Sequence, residues 1–108
     1  MTIDCTEFMG AGIVYIRNES GNNMQTFVSK LSHDSGSDNW FVVSASFEDD
    51  AHAKWNRSNH GWEVIAFKDD HNKRVGFYVD LQNVTTYVTF HSFSNVQIKQ
   101  VHKTNSGC

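Results

Sequence analysis

The chain has 108 residues and a formal net charge of −3, with 9 Lys and Arg against 12 Asp and Glu. That length accommodates one domain and no second core. No Lys/Arg run or basic face is visible, which argues against nucleic acid as a partner, since that affinity rests on clustered cations.

Met1-Thr2-Ile3-Asp4-Cys5-Thr6-Glu7-Phe8 has no basic n-region and no apolar h-region, so a cytoplasmic protein is expected. Residues 1–10 read as a short arm. Cys5 and Cys108 lie near the two ends; reduced terminal thiols are the simpler reading, and a disulfide between them would close nearly the whole chain. No apolar run approaches the roughly 20 residues of a membrane span.

From residue 12 onward, short β-branched and aromatic runs alternate with Gly/Asn/Asp/Ser clusters, and no segment sustains a helical period. Ile13-Val14-Tyr15-Ile16 ends at the turn-forming Arg17-Asn18-Glu19-Ser20-Gly21-Asn22-Asn23. Gln25–Leu31 follows as a second strand, then a polar loop from His33 to Asn39, then Trp40–Ala45 as a third strand. Glu48–Asn59 reads as a long loop. Trp62–Lys68 and Arg74–Asp80 form a hairpin about the loop Asp69-Asp70-His71-Asn72-Lys73, and Thr85–His91 and Asn95–Val101 complete the set. About seven strands at this spacing predict an all-β, antiparallel β-sandwich.

The richest stretch is Trp55-Asn56-Arg57-Ser58-Asn59-His60-Gly61-Trp62, with two indoles, a guanidinium, two amides, an imidazole and a hydroxyl. A sugar presents a patch of C–H groups on one ring face and hydroxyls around its rim. A flat aromatic ring covers the patch, and short planar polar groups bind the rim. Trp55 is expected to stack on the sugar, with Asn56, Arg57, Asn59 and His60 reading hydroxyls and Trp62 beside them. Asp34-Ser35-Gly36-Ser37-Asp38-Asn39-Trp40 has the same character, so Asp38, Asn39 and Trp40 are placed as a second wall of the site. The plainer alternatives are a buried Trp62 opening its strand, a Trp55 plugging the end of the sandwich, an Arg57 paired with a carboxylate, and an ordinary loop before a buried Trp40.

The six histidines are scattered singly and no Cys pair has ligand spacing, so no zinc site is expected. Asp49-Asp50 and Asp69-Asp70 lack the calcium-loop pattern. No phosphate-binding Gly loop or nucleophile elbow is present, and no cofactor is expected. Glu48, Glu63, Arg57, His60 and His91 could assemble a ribonuclease-like acid–base set, but each has a simpler structural reading, and a binding protein rather than an enzyme is expected. Asn18, Asn56 and Asn83 open N-glycosylation patterns that arise readily in an Asn- and Ser-rich chain.

With Gly12-Ile13-Val14-Tyr15-Ile16-Arg17-Asn18-Glu19-Ser20-Gly21 opening a β-sandwich behind a Met-started, leaderless N-terminus, the chain resembles the small cytoplasmic defence lectins of mushroom fruiting bodies. The aegerolysin-like lipid binders are the neighbouring group. The likeness spans roughly residues 12–101 and carries no motif that assigns a site residue. It implies binding of glycans on glycoproteins or glycolipids, a homodimer or higher oligomer for avidity, and a defence role; membrane-lipid binding is the alternative it carries.

Overall fold

The computed structural model describes residues 12–34, 36–44, 52–58 and 60–102. The expected arm at 1–10, Cys5, Cys108, Glu48 and Asn59 lie outside them.

Among the described residues eight strands form: β1 Ile13–Asn18, β2 Met24–Val28, β3 Phe41–Val43, β4 His52–Asn56, β5 Trp62–Lys68, β6 Arg74–Asp80, β7 Val84–Ser92 and β8 Asn95–His102. They make two four-stranded sheets, ordered β4-β1-β7-β8 and β3-β2-β5-β6. The architecture is the expected all-β sandwich. Two features differ from the sequence reading. The stretch taken as a long loop contains β4, and β1 runs parallel to β7 while all other pairs are antiparallel. Three hairpins, β2–β3, β5–β6 and β7–β8, each stay within one sheet, so β1 and β4 are left to pair with each other and with β7.

Strand parity sets the core. Val14 and Ile16 of β1, Met24 and Val28 of β2, Val43, Trp55, Ile65 and Phe67, Val88 and Phe90 meet between the sheets with Leu81. Phe67 and Phe90 touch across the gap, ring centroids 4.7 Å apart. Full burial of such side chains contributes about 1.5–3 kcal/mol each.

The crossings between sheets are tied by polar groups. Asn18, fully buried at the end of β1, donates through Nδ2 to the carbonyl of Val43 at 3.0 Å and accepts from the amide and hydroxyl of Ser20 at 3.0 and 2.7 Å. This shapes the turn into β2 and joins it to β3. In the β5–β6 hairpin, Asp69 Oδ1 accepts from the amides of His71 and Lys73, both at 2.9 Å, and Asn72 takes the left-handed conformation at φ 62°.

At the start of β1 the chain passes tightly between β7 and the end of β4. Gly12 has φ +79°, donates to Val84 O at 2.6 Å and accepts from Arg57 N at 2.7 Å. A Cβ there would stand 2.5 Å from Ser58 Cα. Gly12→Ala is therefore expected to cost about 2–3 kcal/mol, through both strain and overlap. A thermal melt should show a midpoint lower by roughly 10–20 °C; an unchanged midpoint would mean that this crossing is not tight.

A candidate carbohydrate platform and a buried charged plug

In the segment that stands out in the sequence, Trp55, Arg57 and His60 turn inward. In β4, Ala53 and Trp55 share the parity that faces the core, and Arg57 continues it past the strand end. Trp55 is 6% exposed, its ring edge-on to Phe41 with centroids 6.0 Å apart. Arg57 is 1% exposed. Its Nε donates to Ser29 O at 3.0 Å, Nη2 to Val28 O at 2.8 Å and also to Ser37 O, and Nη1 to Asn56 O at 3.1 Å. The guanidinium thereby binds the end of β4 to the end of β2 and to the segment before β3. Burial pushes its pKa down, while Glu63 and Asp38 act in the opposite sense; guanidinium stays charged in proteins regardless.

His60 is likewise interior, with Nδ1 2.7 Å from Glu63 Oε2. The expectation that Trp55 presents a face to solvent, and that Arg57 and His60 read a ligand from a surface loop, is thus corrected. The plainer reading of Trp55 as a plug describes it better, whereas Arg57, for which pairing with a carboxylate is the plainer expectation, is held instead by backbone carbonyls. Asn56 is exposed, and its Oδ1 accepts from the amide and hydroxyl of Ser58 at 3.1 and 2.9 Å. Asp38 and Asn39 are exposed on the approach to β3.

Glu63 organises this end of the sandwich. Fully buried on β5, it accepts from Ser29 Oγ and Leu31 N through Oε1, both at 2.6 Å. Through Oε2 it accepts from Ser32 N at 2.9 Å, from the Ser32 hydroxyl and from His60 Nδ1. Burial alone pushes its pKa up, but the hydrogen bonds from Ser29, Ser32 and His60 outweigh it and lower the pKa to about 2. Arg57, His60 and Glu63 of the weighed acid–base set do converge, yet within the interior. His91 stands on the other sheet, bonded to Gln97 at 3.1 Å.

A carboxyl held below its unfolded value stabilises the fold above that value and loses the contribution as protonation sets in. Stability should therefore be flat above about pH 5 and fall between pH 4.5 and about 2, by on the order of 3 kcal/mol from this group. Urea midpoints measured across that window, in the wild type and in Glu63→Gln, check it: the variant should lose most of the acid dependence, and equal slopes would remove Glu63 as the source.

The exposed aromatic surface lies elsewhere, on the outer face of β3-β2-β5-β6. With Glu63, Ile65 and Phe67 directed inward, β5 presents Trp62, Val64, Ala66 and Lys68 outward. Opposite them in register, β6 presents Asp80, Tyr78, Gly76 and Arg74. Trp62 is 51% and Tyr78 63% exposed, and their rings pack at 5.2 Å with planes inclined 32°. Phe27 of β2 pairs with Ala66 on the same face. Its ring meets Trp40 at 5.4 Å, and Lys68 Nζ lies 4.4 Å from the Trp40 ring centre.

Two aromatic pairs therefore share one sheet face; along the strands Trp62 lies about 13 Å, and Tyr78 about 7 Å, from the level of Phe27. Between them runs a low strip of Val64, Ala66 and Gly76. Polar groups stand at its ends: Asp80 beside Trp62, and Lys68, Arg74 and Gln25 at the other end.

Of the residues singled out by sequence, Trp62 and Trp40 belong to this face. Trp55, Asn56 and Arg57 line a separate cleft of about 430 Å³ with Phe41, Val42 and Ser37, between the β3 and β4 edges. Tyr78 and Phe27 escaped the sequence reading. Tyr78 shares parity with Arg74, Gly76 and Asp80, against Val75, Phe77 and Val79, and that alternation marks it as outward-facing.

Among the described residues no group of three or more His, Cys, Asp or Glu is placed to hold a metal ion. No helix of the described residues is long and apolar enough to cross a membrane. Compared with protein-family models, curated proteins and solved structures, the chain matches none. The class defined by fold and surface is an all-β sandwich with a charged internal plug at one end and an aromatic outer sheet face.

Proposed function

We propose that the protein is a lectin that binds cell-surface glycans on the outer face of β3-β2-β5-β6. The observation that carries this reading is the exposed Trp62–Tyr78 pair, standing on the same flat face as Trp40 and Phe27. Strands hold Trp62, Tyr78 and Phe27, so little side-chain freedom is lost on binding. Their apolar surface matches the C–H face of a pyranose, and Asp80, Gln25 and Arg74 supply acceptors and donors for hydroxyls at the ends of the strip. The spacing between the two aromatic pairs favours an oligosaccharide over a single sugar. The cell-surface and defence aspects of the proposal come from the resemblance to fruiting-body lectins.

Shallow platforms bind weakly one at a time, so avidity calls for a second copy of the chain. Light scattering tests that part independently. For the function itself, a glycan array probed with the purified protein should give specific hits that free oligosaccharide competes away. Capture by liposomes free of glycolipid, with an empty array, would replace the lectin reading by the lipid-binding one.

A further inference from the structure

The other outer face has a different chemistry. Strands β4, β1, β7 and β8 contain no Asp or Glu at any position, although the chain as a whole is acidic. Their registers set four residues abreast: Lys54 of β4 opposite Tyr15 of β1, Tyr15 opposite Tyr87 of β7, and Tyr87 opposite Lys99 of β8. The row spans about 14 Å, three strand spacings. Lys54 and Lys99 are exposed, and among the described residues neither forms an ion pair. Thr89 and Gln97 continue the face in the next row. Glu19, just past the end of β1, is engaged by Arg17 Nε at 2.9 Å and His91 Nδ1 at 3.7 Å. A basic face that is invisible along the sequence is thus assembled by the sheet from positions far apart in the chain.

We infer that this face binds a sulfated polysaccharide, as a second site on the side of the sandwich away from the aromatic platform. Each of the four side chains offers an N–H or O–H donor, the two ammonium groups flank the two phenols, and no carboxylate stands in the row to repel an anion. A sulfated chain carries fixed charges along an extended backbone and can meet both lysines at once. The tyrosine geometry separates this occupant from single-stranded nucleic acid. Tyr15 and Tyr87 stack on each other at 5.3 Å and 12°, so each ring spends one face on its neighbour. Single-strand binders instead offer free ring faces to successive bases.

The test uses immobilised heparin, chemically desulfated heparin and an oligothymidylate, with the full chain in each arm. Wild type should bind heparin at low salt, release as salt rises, and bind desulfated heparin at least tenfold more weakly. Lys54→Ala/Lys99→Ala should lose at least tenfold in heparin affinity, and Lys54→Arg/Lys99→Arg should restore most of it. Circular dichroism should show all these variants folded, since both positions are exposed. Trp62→Ala should leave heparin binding unchanged whatever the outcome of the glycan array, so this site and the platform stand or fall separately. Equal binding to desulfated heparin, an unaffected double-alanine variant, or tighter binding to oligothymidylate than to heparin would each overturn the inference.

Discussion

Substituting Glu63 by glutamine is expected to destabilise the fold by about 3–5 kcal/mol, the cost of breaking one partner out of a buried ionic network. Five donors converge on this carboxylate: three on Oε2 and two on Oε1. Glutamine keeps the shape but replaces one oxygen by an amide that is itself a donor. Whichever way the amide lies, at least two donors lose their acceptor inside the protein. The Arg57 guanidinium also loses the nearby negative charge that opposes its desolvation. For a domain of this size the loss corresponds to a thermal midpoint lower by roughly 15–30 °C, a large part of the 5–15 kcal/mol that such domains possess. Arg57→Met should have a similar effect. It leaves the carbonyls of Val28, Ser29 and Ser37 without the donor that joins the ends of the two sheets. Urea and thermal melts of both variants decide the matter: midpoints within a few degrees of wild type would show that the plug is not a stabilising unit.

Replacing Trp62 by alanine should do the reverse, leaving the fold and removing the ligand. The ring is half exposed and outside the core, so the melting midpoint should move by only a few degrees. Loss of an anchoring indole from a binding surface costs about 2 kcal/mol or more, which is roughly a 30-fold loss of affinity for the array-selected oligosaccharide. Tyr78→Ala should weaken binding by a smaller factor, because its ring supports Trp62 and covers less of the strip. Trp55→Ala separates the platform from the segment prominent in the sequence. It should destabilise the protein by about 3–5 kcal/mol as a core truncation, and at temperatures where it remains folded it should bind as wild type does. Titration by intrinsic fluorescence or calorimetry reads all three. Undiminished binding in Trp62→Ala would remove the platform, and selective loss in folded Trp55→Ala would return the site to the β3–β4 cleft.

The stretch from Trp55 to Trp62 shows how far composition can be read. Polar groups beside indoles have the same composition whether they surround a sugar or lace the end of a sandwich. Parity was the signal available. His52-Ala53-Lys54-Trp55-Asn56 alternates polar and apolar, which marks a half-buried strand with Trp55 inward. Reading it as a loop discarded that period. Trp62 poses the opposite problem, because both parities of β5 are largely apolar and Glu63 shares the inward side with Ile65 and Phe67. No pattern rule sends a carboxylate in and an indole out. The exchange is decided by donors from Ser29, Leu31, Ser32 and His60, which reach Glu63 only after β2 and β5 have paired.

By itself the sequence determined the class of fold, the β5–β6 hairpin with its Asp-Asp-His-Asn-Lys loop, and most of the strands, because β-branched runs, period-two alternation and turn residues act over a few neighbours. The parallel pairing of β1 with β7, the inward turn of Trp55, Arg57 and His60, the aromatic face and the Lys54-Tyr15-Tyr87-Lys99 row were settled only by tertiary structure. Each depends on which strands lie side by side, and that choice joins residues tens of positions apart through hydrogen bonds and charges that leave no local trace.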